Sequence, residues 1–325
     1  MNIKSVASSF KKKITGQTTH AVMENYYKLF EKYSFVDRQC VLPIQFEASI
    51  TRLYHTIEKG LAYKDYRAGF GKTNIKDLII SLEQYSNQGY DTAAFFYETA
   101  LSCLNAYVKK NKEHGIEDAQ LEERIQKLPG KANEFGGTIV ISTPEHPERL
   151  TYEQLLTCRH SIRHFSNKPV DIDILKETIK LAQYTPSACN RQGWKTRIVA
   201  NKEKLKSVLA NQNGNRGFGQ EFDKLLVITA DLRAQQKSRE IFEAFIDGGM
   251  YAENILNSLY AKGIGSVPLS AALTPEQERN VRATIGLDEA EVLIMFVGVG
   301  NYPEEEFLTT RSERKPLESE EIPVL

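Results

Sequence analysis

Apolar positions in the first third of the chain recur every three or four residues. Tyr26, Tyr27, Leu29, Phe30 and Tyr33 form one such run, and Phe46, Ile50, Leu53, Tyr54, Ile57 and Leu61 form another. Ile75 to Tyr85 and Thr92 to Val108 continue it, the last with Phe95, Phe96, Leu101, Cys103 and Leu104. A period near 3.6 predicts packed amphipathic helices from His20 to about Lys112. Glu113 to Pro147 breaks the pattern with charge and with Gly130, Gly136, Gly137, Pro144 and Pro147, which marks a boundary. Within it, Thr138 to Ser142 reads as a short strand added to the sheet of the second half. The expected division is a helical region over residues 1–140 and a second domain over 141–325.

In the second half, short apolar runs alternate with helical patterns. Thr151 followed by Gln154 is a capping box and opens a short helix that ends near Arg159. Asp171 to Tyr184 and Lys202 to Leu209 read as helices, and Arg239 to Lys262 as a long one with Gly248-Gly249 in its middle. Those glycines cost helix propensity, about 1 kcal/mol each relative to alanine. Close packing, at a subunit interface or within the chain, would account for them. Lys195 to Ala200, Leu225 to Ala230 and Val292 to Val299 read as strands, and Gly265 to Ala271 as a turn with a short extended piece. Thr274-Pro275-Glu276-Gln277 is a strong helix start. Strands interleaved with helices predict an α+β or α/β sandwich around one sheet.

Composition narrows the functions. Lysine plus arginine and aspartate plus glutamate each number 42, so there is no general pull toward nucleic acid or an anionic membrane. No run approaches the ~18 apolar residues of a membrane span. Residues 1–19 lack the apolar core of a secretory signal and read as a helical arm, with Lys11-Lys12-Lys13 as solvated surface. The four cysteines, Cys40, Cys103, Cys158 and Cys189, show no C-x-x-C spacing. That favours free thiols in a reducing cytoplasm and disfavours a metal site.

The densest chemistry lies between Cys158 and Trp194. Arg159 and Arg163 flank Ser161, and two guanidinium forks with a hydroxyl between them suit one phosphate. About twenty residues later, Pro186-Ser187-Ala188-Cys189-Asn190-Arg191-Gln192 forms a loop of small and amide residues that suits a flat polar ligand. Cys189 reads as a small packing residue and Trp194 as core. His160 and His164 sit beside arginines, and nothing marks either as an acid or base.

Arg159-x-Ser161-x-Arg163-x-Phe165 followed by Pro186-Ser187-x-x-Asn190-x-Gln192-x-Trp194 resembles the nitroreductase family of FMN-dependent oxidoreductases, over roughly Leu150 to Leu317. The resemblance implies an α+β sandwich of helices around a central, mostly antiparallel sheet, preceded here by an all-α region. It implies hydride transfer from NADH or NADPH through FMN to a small organic acceptor such as a quinone, nitroaromatic or activated alkene. No side chain then needs a catalytic role, because the cofactor carries the chemistry. By the same resemblance the Arg159–Arg163 stretch, including His160 and Ser161, holds the phosphate, and Arg314 returns from the tail to complete the clamp. Pro186, Ser187, Asn190 and Gln192 contact the flavin, in this family often from the partner subunit of a homodimer. Pro268 and Leu269 line the ring. Arg191 is a candidate positive group near reduced flavin. Two positions depart from the pattern: Gly193 stands where proline is expected, and Cys189 where glycine is common.

Outside the resemblance, Tyr54 to Leu61 places His55, Glu58 and Lys59 on one helical face, with Gly60 at its end and Phe70 between Gly69 and Gly71. A substrate or lid site at His55, Glu58 and Phe70 is one reading, and a polar helix end with a turn is the plainer one. The alternative for the whole chain is a scaffold in which the helical region docks a partner and the flavin is structural.

Overall fold

A computed structural model describes residues 19–34, 39–317 and 322. The expected arm over residues 1–19 lies outside them except for Thr19. In order, the chain forms α1 (Thr19–Tyr33), α2 (Pro43–Leu61), α3 (Lys72–Asn87), α4 (Phe95–Glu113), α5 (Ala119–Gln126) and β1 (Thr138–Ile141). Then come α6 (Tyr152–Cys158), α7 (Ile172–Ala182), β2 (Trp194–Val199), α8 (Lys202–Ala210) and β3 (Lys224–Asp231). The chain ends with α9 (Glu243–Ala261), β4 (Ile264–Ser270), α10 (Pro275–Ile285), β5 (Glu291–Asn301) and β6 (Phe307–Thr310). Contacts gather the described residues into two units interleaved in sequence: 39–141 with 306–317, and 19–34 with 142–305.

In the first unit, α2, α3 and α4 close around Phe46, Ile50, Ile57, Leu78, Leu82, Tyr97 and Leu104, all buried. Their periodic apolar faces are the ones the sequence displays. Helix α5 falls in the stretch expected to be linker. It has only Leu121 and Ile125 as apolar anchors, and Asp118 caps it by accepting from Leu121 N at 3.0 Å. Strand β1 does not join the sheet of the other unit, as the sequence suggested. It pairs antiparallel with β6, from Thr138↔Thr310 to Ile141↔Phe307. The reason lies just upstream: a Cβ on Gly136 would come within 2.4 Å of the Thr99 carbonyl oxygen, so the glycine lets the backbone lie directly on α4.

The second unit is built on a four-stranded sheet of order β2-β3-β5-β4, antiparallel throughout. Seven of the eight residues of β3 are buried, which suits a central strand. With helices around this sheet the architecture is α+β. Helix α9 packs on it: Tyr251 stacks on Trp194 with ring centroids 4.8 Å apart, and Ile255 and Leu259 are fully buried. Close approach within the chain explains Gly248, where a Cβ would lie 2.8 Å from Ile294. Gly249 faces open space. The segment Gly265–Ala271 is more regular than expected, because β4 runs seven residues along β5. Pro268 is tolerated there because β4 is the last strand of the ladder. Helix α1 differs from the packed helix its periodicity predicted. None of its residues is buried, and Tyr26 meets Phe242 at 4.8 Å between ring centroids.

Candidate functional site

The arginine motif begins where α6 ends. Thr151 Oγ1 accepts from Gln154 N at 3.2 Å and Gln154 Oε1 accepts from Thr151 N at 2.9 Å, so the capping box fixes this helix as expected. Arg159 follows with extended dihedrals (φ −70°, ψ 123°). Ile162 N then donates to Ser266 O at 2.8 Å, which lays the motif along the outer edge of β4. Ser166 N donates to Asn301 O at 2.9 Å and ends the contact. Residues two apart share a side of an extended chain. Arg159, Ser161 and Arg163 are so spaced.

The motif is held by glycines and by one carboxylate. Phe165 is 9% exposed and lies where a Cβ on Gly300 would come within 2.5 Å of its ring. Glu221 accepts from Phe165 N at 3.3 Å and stands 3.5 Å from His164 Nδ1. Arg163 is 8% exposed, with its guanidinium carbon 5.6 Å from the Phe218 ring centroid and Nη1 3.5 Å from Ser161 O. Arg159 acts on two buried tyrosines. Burial pushes the Tyr302 hydroxyl pKa up, Tyr260 adds to this, and the Arg159 charge opposes it. Tyr260 shows the same opposition between burial and Arg159.

The amide loop is cross-braced. Ser187 Oγ accepts from Gln192 N at 2.9 Å, and Asn190 N donates to Ser187 O at 2.9 Å. Gln192 Nε2 donates to Asn190 O and Oδ1 at 3.2 and 3.1 Å. Three non-glycine residues within four positions have positive φ: Cys189 (52°), Asn190 (56°) and Gln192 (48°). Such conformations cost energy and persist only where neighbours over-determine them; they concentrate at functional sites. Here the constraint comes from α9 and from Arg191. Ala188 N donates to both carboxylate oxygens of the buried Asp247, at 3.1 and 3.2 Å. Arg191 donates to Ala188 O at 3.0 Å, Ala234 O at 3.1 Å and Glu240 Oε2 at 2.8 Å. The guanidinium read as a candidate flavin neighbour is therefore engaged in bracing its own loop.

Of the two departures from the pattern, Gly193 has a local reason and Cys189 carries a local cost. The positive φ of Cys189 is the conformation glycine adopts without cost. A Cβ on Gly193 would sit 3.1 Å from Ala234, so a bulkier residue there would press on that chain. Cys189 is exposed rather than packed, while Trp194 is core and donates Nε1 to Gln183 at 3.0 Å.

Sheet topology separates the two motifs. The arginine segment borders β4, and the amide loop feeds β2, the opposite edge. Four strand spacings lie between them, about 19 Å. They also sit toward opposite ends. Trp194 aligns through Ala230 with Val292, whereas Ser266 aligns with Val299. That is seven residues along β5, about 23 Å. Pro268 and Leu269 lie in β4 beside the arginine segment, Leu269 buried and Pro268 partly exposed.

The remaining expected residues belong to the helical unit. Arg314 Nη1 donates to Ser312 O, and Lys315 is 3.4 Å from Glu47. His55 Nδ1 lies 3.3 Å from Glu58 Oε2 and 3.4 Å from Ser312 Oγ. Glu58 is fully buried and accepts from Gly137 N at 3.1 Å. Phe70 fills the space left by Gly60, where a Cβ would be 2.0 Å from its ring. This group thus ties α2 to the β1–β6 ribbon. Glu221 and Asp247, which hold the two motifs, were not singled out in the sequence. For Asp247 a signal existed: one acid on the otherwise apolar turn Phe245-Ile246-Asp247-Gly248.

The nitroreductase family model matches residues 156–215 and 206–301. A protein of Archaeoglobus fulgidus, provisionally described as an NADH dehydrogenase/NAD(P)H nitroreductase, is 28% identical over 156 residues, 47% of this chain and 86% of its own length. A Thermus thermophilus protein described as an NADH dehydrogenase is 29% identical over 191 residues, 49% of this chain and 89% of its own. Among solved structures, an FMN-dependent nitroreductase of Clostridium difficile R20291 aligns over 47% of this chain and 88% of its own, with 21% identity and a TM-score of 0.42. No described helix is long and apolar enough to cross a membrane.

Proposed function

We propose, from the match of residues 156–301 to the nitroreductase family model, an FMN-dependent oxidoreductase that takes hydride from NADH or NADPH and passes it to a small organic acceptor. The observation that carries this reading is the arginine segment. A buried Arg163 and a half-buried Arg159, with Ser161 between them, are fixed along β4 by Ile162 and Glu221. That donor set fits a dianionic phosphate monoester. Bound FMN would supply the hydride-carrying ring. The chain's own part is to hold and orient it: Arg159, His160, Ser161 and Arg163 at the phosphate, Pro186, Ser187, Asn190 and Gln192 at the ring and ribityl chain, and Pro268 and Leu269 along the ring. Arg314 as a further phosphate contact and His55, Glu58 and Phe70 as substrate-side residues belong to the same proposal.

The same geometry supports a homodimer. Separations of about 19 and 23 Å in the plane of one sheet place the two motifs of a single chain too far apart for one mononucleotide. Two chains related by a twofold axis bring the phosphate segment of one to the amide loop of the other. Phe245, Ile246 and Met250 on α9 are exposed and supply apolar surface for that contact. We place the activity in a reducing, cytoplasmic setting, consistent with four free cysteines.

The purified full chain should be yellow, with absorption near ~450 nm from oxidised flavin. It should oxidise NADH or NADPH when a quinone or nitroaromatic is supplied. Arg159→Gln with Arg163→Gln should abolish flavin content while circular dichroism stays unchanged. A colourless wild-type protein that takes up no FMN on incubation overturns the proposal. Flavin retained without turnover of either nicotinamide would favour the scaffold reading.

A further inference from the structure

We propose that the helical unit carries a second ligand site, independent of the flavin reading, for a small amphipathic anion: an apolar body bearing one carboxylate or phosphate. The site is a cleft of about 650 Å³ between the first two turns of α3, the second half of α4 and α5. That volume falls within the range of small-molecule pockets, roughly 300–1,000 Å³. Its floor is apolar, with Ile75 and Ile79 buried and Leu121 half-buried, which suits a hydrocarbon or aromatic body better than a solvated one.

Charge at the rim selects the head group. Lys72 and Lys76 are four apart on α3 and so stand on one face, where like charges repel. Both are exposed, and neither makes an ion pair among the described residues. The other charged groups differ. Arg124 donates to both oxygens of Glu83, at 3.0 and 2.8 Å, and Asp118 caps α5. Of the two acids in the lining, Asp118 is engaged by Leu121 N at the start of α5, and Glu117 stands against the two lysines. Gly71, the residue before α3, makes no side-chain cap to its first turn.

The wall is held in place by the protein alone. Asn111, 4% exposed, donates to Tyr107 O at 3.0 Å and accepts from Gly69 N at 2.6 Å. Tyr107 donates its hydroxyl to Phe70 O at 2.7 Å. The turn that carries Gly69 (φ 72°) and Gly71 (φ 67°) is thus pinned to α4. A pre-formed wall lowers the ordering cost of binding.

Titration calorimetry on the purified full chain with octanoate, octyl phosphate and acetate tests this. Octanoate or octyl phosphate should bind, the tighter of the two naming the head group, and acetate should not, because it has no apolar body. Lys72→Gln with Lys76→Gln should weaken binding by about tenfold or more, and Glu117→Gln should tighten it. Those lysines are exposed, so the variant should melt like wild type. In isoleucine-methyl spectra the probe should shift Ile75, Ile79 and Ile116, which line the cleft, while flavin absorption stays constant. No heat from either octyl probe, equal affinity in the lysine variant, or probe-induced changes confined to the flavin would each overturn the proposal.

Discussion

Glu291 illustrates how a single buried charge is made tolerable. It is 1% exposed, yet Arg197 donates to its two oxygens at 2.6 and 2.9 Å, Thr229 at 2.6 Å and Lys195 at 3.2 Å. The Arg197 guanidinium, outweighing burial and aided by Thr229 and Lys195, holds its carboxyl down from 4.5 to about 2. The folded state therefore binds fewer protons than the unfolded chain around pH 3. The stabilisation is complete above about pH 4.5 and is lost as pH falls toward 2. A shift of that size corresponds to roughly 3 kcal/mol. Urea unfolding at pH 5.5 and pH 3 should show wild type losing more stability than Glu291→Gln; equal losses would remove Glu291 from the account. Sequence alone did not reveal this group, because its partners come from β2 and β3. The same holds for Gly300. Its neighbour Phe165 was legible as part of the motif, but the need for glycine appears only when β5 passes beneath that ring.

At the scale of elements, local signals carried far. Both capping boxes, at Thr151 and Thr274, form as their residues predict. The strands over Leu225–Ala230 and Val292–Val299 are the two central ones, where continuous apolar runs are least ambiguous. What failed was pairing and short elements. Strand β6 hides in a charged tail, and α5 has too few apolar residues to show a period. Asp247 lies between these cases, because its role joins two elements. It accepts Ala188 N, and that bond holds the amide loop against α9. Asp247→Ala leaves a part-buried N–H without its acceptor, a cost of about 1 kcal/mol. The loop should then relax out of its positive-φ conformations. Hydrogen exchange over residues 185–194 should accelerate and FMN retention should fall, with Asp247→Asn intermediate because one acceptor oxygen remains. Unchanged exchange in the alanine variant would show that Arg191 alone suffices.

For the whole molecule, the consequential fact is that the motifs standing close together in sequence end at opposite edges of one sheet. The sequence presents Arg163 and Ser187 as parts of one stretch, and only strand order reveals the distance between them. The proposed twofold dimer rests on helix α9. Its Gly249 has open space around it, and Phe245, Ile246 and Met250 lie exposed beside it. Its opposite side buries Tyr251 and Ile255 in the sheet core. Surface of that kind on one face of a core helix is expensive to leave in water, about 25 cal/mol per Å². Phe245→Glu with Ile246→Glu should therefore give a monomer by sedimentation velocity. If two chains build each site, that monomer should also lose its flavin, although Arg159, Ser161 and Arg163 are untouched. A monomer that keeps full flavin content would mean that one chain suffices and that the edge-to-edge separation is bridged within it. A variant that remains dimeric would move the contact away from this face of α9.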